Sequence, residues 1–352
     1  MLNKKMLFLS VGTIIGSCLL FITIGFLVNA TQKTEPAFTG EYDVNVMEDL
    51  LYVTTENSVD TLFLQTNNES ALSLFTSDSE AFLYSPIFID EHTAAFIHTT
   101  GYERGSDPYE TSSEFAYSAI SIVDFVTEEI TTLVETRGVL LDLIYIPTTD
   151  QFIVTGDNVS QHIEPEAQET RKTALYNAAD GELQLIYEGS YAVPSSMQAT
   201  KDGQLMMILP DDQGNWTVDT IYESIERIYI ADPTVTPLNL ELFSSDEKTA
   251  PITSFVQVKD GLIYQTIFNY EQSDGSFDYD LVPYSFETQE EGNRLRIGGH
   301  DIEALRSIPT KDILYYVKRT DAYRDGNTFS IHRHDLVSGD EKEIPLIAKE
   351  TD

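Results

Sequence analysis

One arrangement of apolar and polar positions recurs six times along the chain: an apolar stretch, a tight turn ending in Asp, then a second, more strongly apolar stretch. It reads VMED-LLYVTT at Asp49, FIDEH-TAAFIHT at Asp90, IPTTD-QFIVTG at Asp150, ATKDG-QLMMIL at Asp202, QVKDG-LIYQTI at Asp260 and IPTKD-ILYYVK at Asp312. The spacings are 41, 60, 52, 58 and 52 residues. Each second stretch leads through a polar loop to a third and, by a short turn, to a fourth. Examples are Ala119 to Phe125 then Ile130 to Val134, Leu175 to Asn177 then Leu183 to Tyr187, Arg227 to Asp232 then Leu238 to Phe243, and Ile331 to Leu336 then Ile344 to Leu346. Asp-Gly and Ser-Gly-Asp turns supply the positive φ that tight hairpins need. Repeats of this length with several strands each are the mark of propellers and not of helical solenoids. The pattern predicts an all-β, six-bladed β-propeller over residues 42–346, with four antiparallel strands per blade and a short tail at 347–352.

The first thirty residues follow a different rule. Asn3-Lys4-Lys5 closes a cytoplasmic segment at 1–5, and an uncharged apolar run of 23 positions extends over 6–28. As a helix it spans about 34 Å, enough to cross a bilayer core. The two lysines stay inside, which sends the remainder outward. The expectation is a single-pass signal-anchor transmembrane helix, a linker at 29–41 and an extracellular body in contact with the membrane through residues 6–28. Two alternatives stand beside it: cleavage after Val28-Asn29-Ala30, giving a secreted protein, and lipidation of Cys18 in Ile15-Gly16-Ser17-Cys18. Cys18 is the single cysteine, so the exported body holds no disulfide.

Charge narrows the partners. The chain has 58 Asp and Glu against 21 Lys and Arg. Such a field repels nucleic-acid phosphates and attracts cations and basic surfaces. No nucleic acid is expected as a partner.

The loops between second and third strands emerge on one face of a propeller, and here they are long: Glu103 to Glu114, Asp157 to Lys172, Asp211 to Glu226, Asn269 to Asp278 and Thr320 to Asn327. They are rich in acids and aromatics. Tyr102, Asp107 and Tyr109, then Trp216 and Tyr222, then Tyr270, Asp274 and Asp278 are the candidate binding residues, the rings offering stacking surfaces and the carboxylates accepting hydrogen bonds. They suit a basic or carbohydrate-containing envelope partner; a plain solvated acidic rim is the alternative.

Candidate chemistry is sparse. His332 and His334 are two apart on a predicted strand, so both rings could share a metal, though no third ligand stands nearby. Asp274-Gly275 and Asp325-Gly326 lack the spaced oxygen ligands of a calcium loop and read as turns. No cofactor is evident; Ca2+ held by clustered acids is possible. There is no G-x-S-x-G elbow, Walker loop or H-E-x-x-H motif.

Asn177-Ala178-Ala179-Asp180-Gly181-Glu182-Leu183, with Lys201-Asp202-Gly203 and Lys259-Asp260-Gly261, resembles the hairpin and turn of TolB-like and WD40-like propeller repeats. Ser85-Pro86 matches the Ser-Pro of that repeat but is out of register with Asp90. The resemblance implies a binding platform. The leading expectation is therefore a non-catalytic binding or scaffold protein. A channel enzyme, hydrolase or lactonase, whose carboxylates come from several blades, and an accessory or sensor subunit of an envelope complex are the alternatives.

Overall fold

Six four-stranded antiparallel sheets follow one another in chain order. Blade 1 holds β1 (Ala37–Val44), β2 (Leu50–Glu56), β3 (Val59–Gln65) and β4 (Ala71–Thr76). Blade 2 holds β5 (Ala81–Phe88), β6 (Thr93–Thr100), β7 (Tyr117–Asp124) and β8 (Ile130–Arg137). Blade 3 holds β9 (Val139–Ile146), β10 (Gln151–Asp157), β11 (Thr173–Ala179) and β12 (Glu182–Gly189). Blade 4 holds β13 (Met197–Ala199), β14 (Leu205–Pro210), β15 (Glu226–Ala231) and β16 (Glu241–Leu242). Blade 5 holds β17 (Ile252–Val258), β18 (Gly261–Ile267), β19 (Tyr279–Ser285) and β20 (Leu295–Ile297). Blade 6 holds β21 (Asp301–Ile308), β22 (Ile313–Thr320), β23 (Thr328–Asp335) and β24 (Glu341–Ile344). This computed structural model describes residues 36–66, 71–78, 81–101, 116–157, 159, 173–179, 181–189, 196–210, 226–243, 252–267, 279–297, 301–308, 310–320 and 328–347. The apolar run at 6–28 lies outside them; among the described residues no helix is long and apolar enough to cross a membrane.

The second strand of each blade reads as a nearly continuous apolar run because both its faces are covered. Successive side chains point to opposite faces, and in a ring each face meets a neighbouring blade. Leu51 and Val53 of β2 join Leu83, Phe96 and Val123 of blade 2. Leu50 and Tyr52 point the other way, to Ile313, Tyr315 and Ile331 of blade 6. Four further clusters fill the interfaces between blades 2 and 3, 3 and 4, 4 and 5, and 5 and 6. Six interfaces, each with its own apolar filling, complete the ring.

The boundaries differ from expectation where the backbone departs from plain pleating. The first strand starts at Ala37, not Tyr42, because Gly40 at φ 95 and a register shift between Phe38 and Tyr42 break the alternation the sequence displays. In blade 4 the expected strand Leu238 to Phe243 shrinks to Glu241–Leu242; Pro233 and Pro237 lie just ahead of it and bring no N–H for a ladder. In blade 6 the last strand ends at Ile344, one residue before Pro345.

The turn glycines divide into two kinds. Gly203 and Gly181 take φ of 81 and 84, as the turn chemistry predicts. Gly261 is needed for space instead, since a Cβ there would stand 1.9 Å from the Tyr284 carbonyl oxygen on the paired strand. Gly261→Ala therefore has to push β18 from β19 and is expected to cost roughly 2–4 kcal/mol. Gly181→Ala, with nothing within 4 Å of the new methyl, should cost about 1 kcal/mol from its φ alone. Equal losses in chemical denaturation would contradict this assignment.

Each blade takes four consecutive strands, so among the described residues no shared strand fastens blade 6 to blade 1, and side chains do that work. Glu48, in the first hairpin of blade 1, accepts from Lys311 Nζ (3.1 Å), Tyr315 Oη (2.9 Å) and Arg333 Nε (3.0 Å) of blade 6. Tyr42 Oη donates to the Ala304 carbonyl at 2.8 Å. Beyond β24 the chain turns onto blade 1: Gln65 Nε2 donates to Pro345 O (3.1 Å), Gln65 Oε1 accepts from Ile347 N (2.9 Å), and Tyr52 Oη donates to Ile347 O (2.9 Å).

Candidate functional site

The six innermost strands, β1, β5, β9, β13, β17 and β21, enclose a channel. Among the described residues two cavities of about 450 and 440 Å³ lie along it, each lined by all six blades, which share Leu143, Ile144, Met197 and Arg306. The first holds Glu41, from the middle of β1, and Asp142 and Glu303, from the opening halves of β9 and β21. The second holds Asp43, Gln198, Lys201, Gln257 and Ser307, from the closing ends of inner strands and the turn after β13. Antiparallel pairing orients them: Ala37 lies opposite Thr55, Ala81 opposite Thr100, and Val139 opposite Asp157. The opening halves of the inner strands thus sit at the end of the ring where second strands pass to third strands. The Glu41 cavity belongs to that end.

Inner strands have one edge without a ladder partner, and an unpaired buried amide is costly. Here side chains from the adjacent blade take these amides. Asp43 Oδ2 accepts from Phe88 N at 2.8 Å and Glu41 Oε2 from Ser85 N at 3.0 Å. Ser85 Oγ accepts from Leu143 N at 2.9 Å, and Gln198 Oε1 from Gln257 N at 3.1 Å. Local backbone irregularity makes this geometry possible. Gly40, Ser85 and Ala304, at φ 95, 44 and 50, lie at register shifts in β1, β5 and β21. Bulges of this kind re-aim side chains, and here they set Glu41, Ser85 and Arg306 along the channel wall.

Charge is unevenly distributed along the wall. Arg306 stands where the cavities meet, its Nε 3.2 Å from Asp43 Oδ1 and its guanidinium 5.8 Å from the Tyr42 ring centre. Glu303 pairs with Arg319 at 3.2 Å. Asp142 has no cation in ion-pair contact among the described residues. Its carboxyl reaches channel water yet is enclosed by protein; that enclosure, then the charge of Glu41, pushes its pKa up to about 6 against the pull of Arg306. Burial also pushes Asp43 above the usual carboxylate range, with Arg306 and the Phe88 amide pulling the other way. Among the described residues no group of three or more His, Cys, Asp or Glu is arranged to hold a metal ion.

The rim candidates Tyr102, Asp107, Tyr109, Trp216, Tyr222, Tyr270, Asp274 and Asp278 lie outside the described residues, as do the Asp274-Gly275 and Asp325-Gly326 turns. The described strands do fix the connections that carry those rim candidates: Thr100 to Tyr117, Pro210 to Glu226 and Ile267 to Tyr279 each join a second strand to a third, at the Glu41 end. His332 and His334 lie on β23 as expected. His332 Nδ1 is 2.9 Å from Glu341 Oε1 and its Nε2 is 3.1 Å from Ser330 Oγ, and burial lowers the pKa of both histidines. Glu41, Asp142 and Arg306 went unnoticed in the sequence. The available signal was an acid inside an apolar first strand, as in Leu140-Leu141-Asp142-Leu143.

No family model matches the chain, and no curated protein matches it. Solved structures do. An oligogalacturonate lyase from Vibrio parahaemolyticus superposes with a TM-score of 0.52 at 13% identity, over 90% of this chain and 80% of that one. A prolyl endopeptidase structure superposes with 0.51 at 12% identity over 88% of this chain. This chain spans about half of the prolyl endopeptidase, 49% of its length. TolB from Acinetobacter baumannii gives 0.45 at 14% identity, over 73% and 54%. At such identities the similarity is one of fold: a six-bladed β-propeller.

Proposed function

We propose that this chain is a binding propeller of the cell envelope, held to the membrane by residues 6–28 with its body outside, which receives a cationic or polyhydroxylated ligand at the Glu41 end of the channel. The observation that carries the reading is the cavity of about 450 Å³ lined by all six blades, a size within the range of small-molecule pockets, with Asp142 on its wall. The rim connections bearing Tyr102, Trp216 and Tyr270 leave from the same end and supply stacking surfaces around the mouth in this proposal. The Asn177 to Leu183 hairpin supports a TolB-like repeat as the origin of the ring. The lyase that shares the fold acts, by its name, on an oligogalacturonate; a wall carrying Glu41, Asp142 and Glu303 repels such an anion, so that activity is not carried over.

Calorimetry on the full-length protein in detergent, with spermidine as cation probe and Ca2+ alongside it, tests this. The sign follows from Asp142. Its raised pKa means that the carboxylate forms as pH rises through about 6, so spermidine binding should strengthen about tenfold between pH 5 and pH 7.5. Asp142→Asn should bind about tenfold more weakly at pH 7.5 and show a flatter profile. Equal affinity in the two proteins across this range would defeat the proposal.

A second reading, a channel enzyme, draws on the same carboxyl, because a group titrating near neutrality can both accept and donate a proton. It requires turnover of a lactone or ester that Asp142→Asn abolishes; binding without turnover returns the first reading.

A further inference from the structure

A hairpin of one design joins the third and fourth strands of blades 2, 5 and 6. It reads Asp124-Phe125-Val126-Thr127-Glu128-Glu129, Ser285-Phe286-Glu287-Thr288-Gln289-Glu290 and Asp335-Leu336-Val337-Ser338-Gly339-Asp340. In each, the first side chain accepts from the amide three positions on, at 2.7, 3.3 and 2.8 Å. The fifth residue takes a φ of 57, 57 or 79, and its N–H donates to the first carbonyl at 2.9 Å. The second residue packs on a neighbour: Phe125 on Phe88, Phe286 on Phe243, and Leu336 on the core between blades 5 and 6.

The third residue contributes its backbone N–H, which donates to the first side chain at 2.8 Å in blade 2 and 3.0 Å in blade 6, but its side chain has no part in this structure. Blade 5 fills the position with Glu287 and forms the same hairpin. Blades 2 and 6 fill it with Val126 and Val337, which are 74% and 81% exposed. Blade 1, lying between them in the ring, presents Val46 and Met47 at 62% and 56% from its first hairpin. First and third hairpins of a blade emerge at the same end, here the end opposite the Glu41 cavity. Blades 6, 1 and 2 thus raise the most exposed apolar side chains of this rim, at tips where turn chemistry favours polar residues; Val235 of blade 4 and Phe286 of blade 5 are exposed there to a lesser degree, at 46% and 38%. Single exposed apolar residues are ordinary; a recurrence that blade 5 shows to be dispensable for folding calls for a contact.

The surrounding charge selects the occupant. Asp90, Glu91, Glu128, Glu129 and Asp340 are exposed around these tips. An anionic lipid surface is repelled by them, while a cationic surface is drawn in. We propose that the rim of blades 6, 1 and 2 docks a basic, amphipathic protein segment, whose apolar side chains cover Val337, Val46, Met47 and Val126 and whose lysines or arginines meet the carboxylates. This rim is independent of the channel and does not rest on its reading.

The test uses full-length protein in non-ionic detergent and two synthetic peptides of equal positive charge, one a Lys/Leu amphipathic helix and one Lys/Ser. The native protein should prefer the Lys/Leu peptide at least about tenfold. The double substitution Val126→Gln and Val337→Gln places the neutral counterpart of Glu287 at both tips, so the hairpins should fold, which the unfolding midpoint checks. It should bring the preference to about threefold or less and leave Lys/Ser affinity unchanged. A preference that survives the substitution overturns the proposal. So does valine-dependent binding of phosphatidylserine vesicles, or valine-dependent self-association in sedimentation, in place of peptide binding.

Discussion

Cutting the chain after Ile344 should lower its unfolding midpoint by about 10 °C, although no strand is removed. The segment that follows closes a ring that has no shared strand among the described residues. Without it, Gln65, which is 2% exposed, loses the partners of both its amide groups, Pro345 O and Ile347 N. The Tyr52 hydroxyl loses Ile347 O. An orphaned buried polar group costs about 1–3 kcal/mol, and the apolar contacts of Leu346 and Ile347 with the core between blades 6 and 1 add roughly 1–2 kcal/mol. The sum, roughly 5 kcal/mol, corresponds to about 10 °C in a domain of this size. Gln65→Ala alone should reproduce less than half of the fall, since Leu346 and Ile347 keep their packing. A truncated protein that melts within about 2 °C of the full chain would show that Glu48 and the apolar seam close the ring unaided.

Much of this architecture was legible in the sequence, because the ring imposes one physical condition six times. A second strand covered on both faces must be apolar at nearly every position of its core, and the turn before it must reverse the chain in a few residues. The runs after Asp49 and Asp312 announce both requirements. The seam was not legible. Gln65 acts as a substitute for strand pairing across 280 positions of sequence, and an isolated Gln at the end of an apolar run carries no sign of that. The start of β1 was hidden by the bulge between Phe38 and Tyr42, where four steps along β1 match two along β2. The channel was hidden for a related reason: its wall is assembled from single residues of six blades, and Asp142 becomes unusual through its enclosure by the assembled blades and then through the charge of Glu41, about a hundred positions away. Sequence reasoning looked instead to the long connections, where acids and aromatics are dense.

Asp43 is where the fold and the channel depend on the same atoms, and its replacement should be the most costly change on the wall. One carboxylate oxygen accepts the Phe88 amide of blade 2 and the other meets Arg306 of blade 6, so one side chain holds blade 1 to both neighbours. Asp43→Ala leaves an inner-edge amide without its acceptor and a guanidinium without its anion. Removing one partner of a buried pair costs about 3–5 kcal/mol. Arg306 is 31% exposed to channel water, which favours the lower bound, so about 3 kcal/mol is expected. Asp43→Asn keeps an acceptor for Phe88 and should lose roughly 1 kcal/mol, the share of the charge-assisted bond. The decisive measurement is a double-mutant cycle by chemical denaturation with Arg306→Ala. If Asp43 acts through Arg306 as well as through Phe88, the two losses overlap by about 1 kcal/mol or more. Strictly additive losses would place the whole effect on the Phe88 amide, leaving Arg306 free to meet an anionic ligand group where the two cavities join.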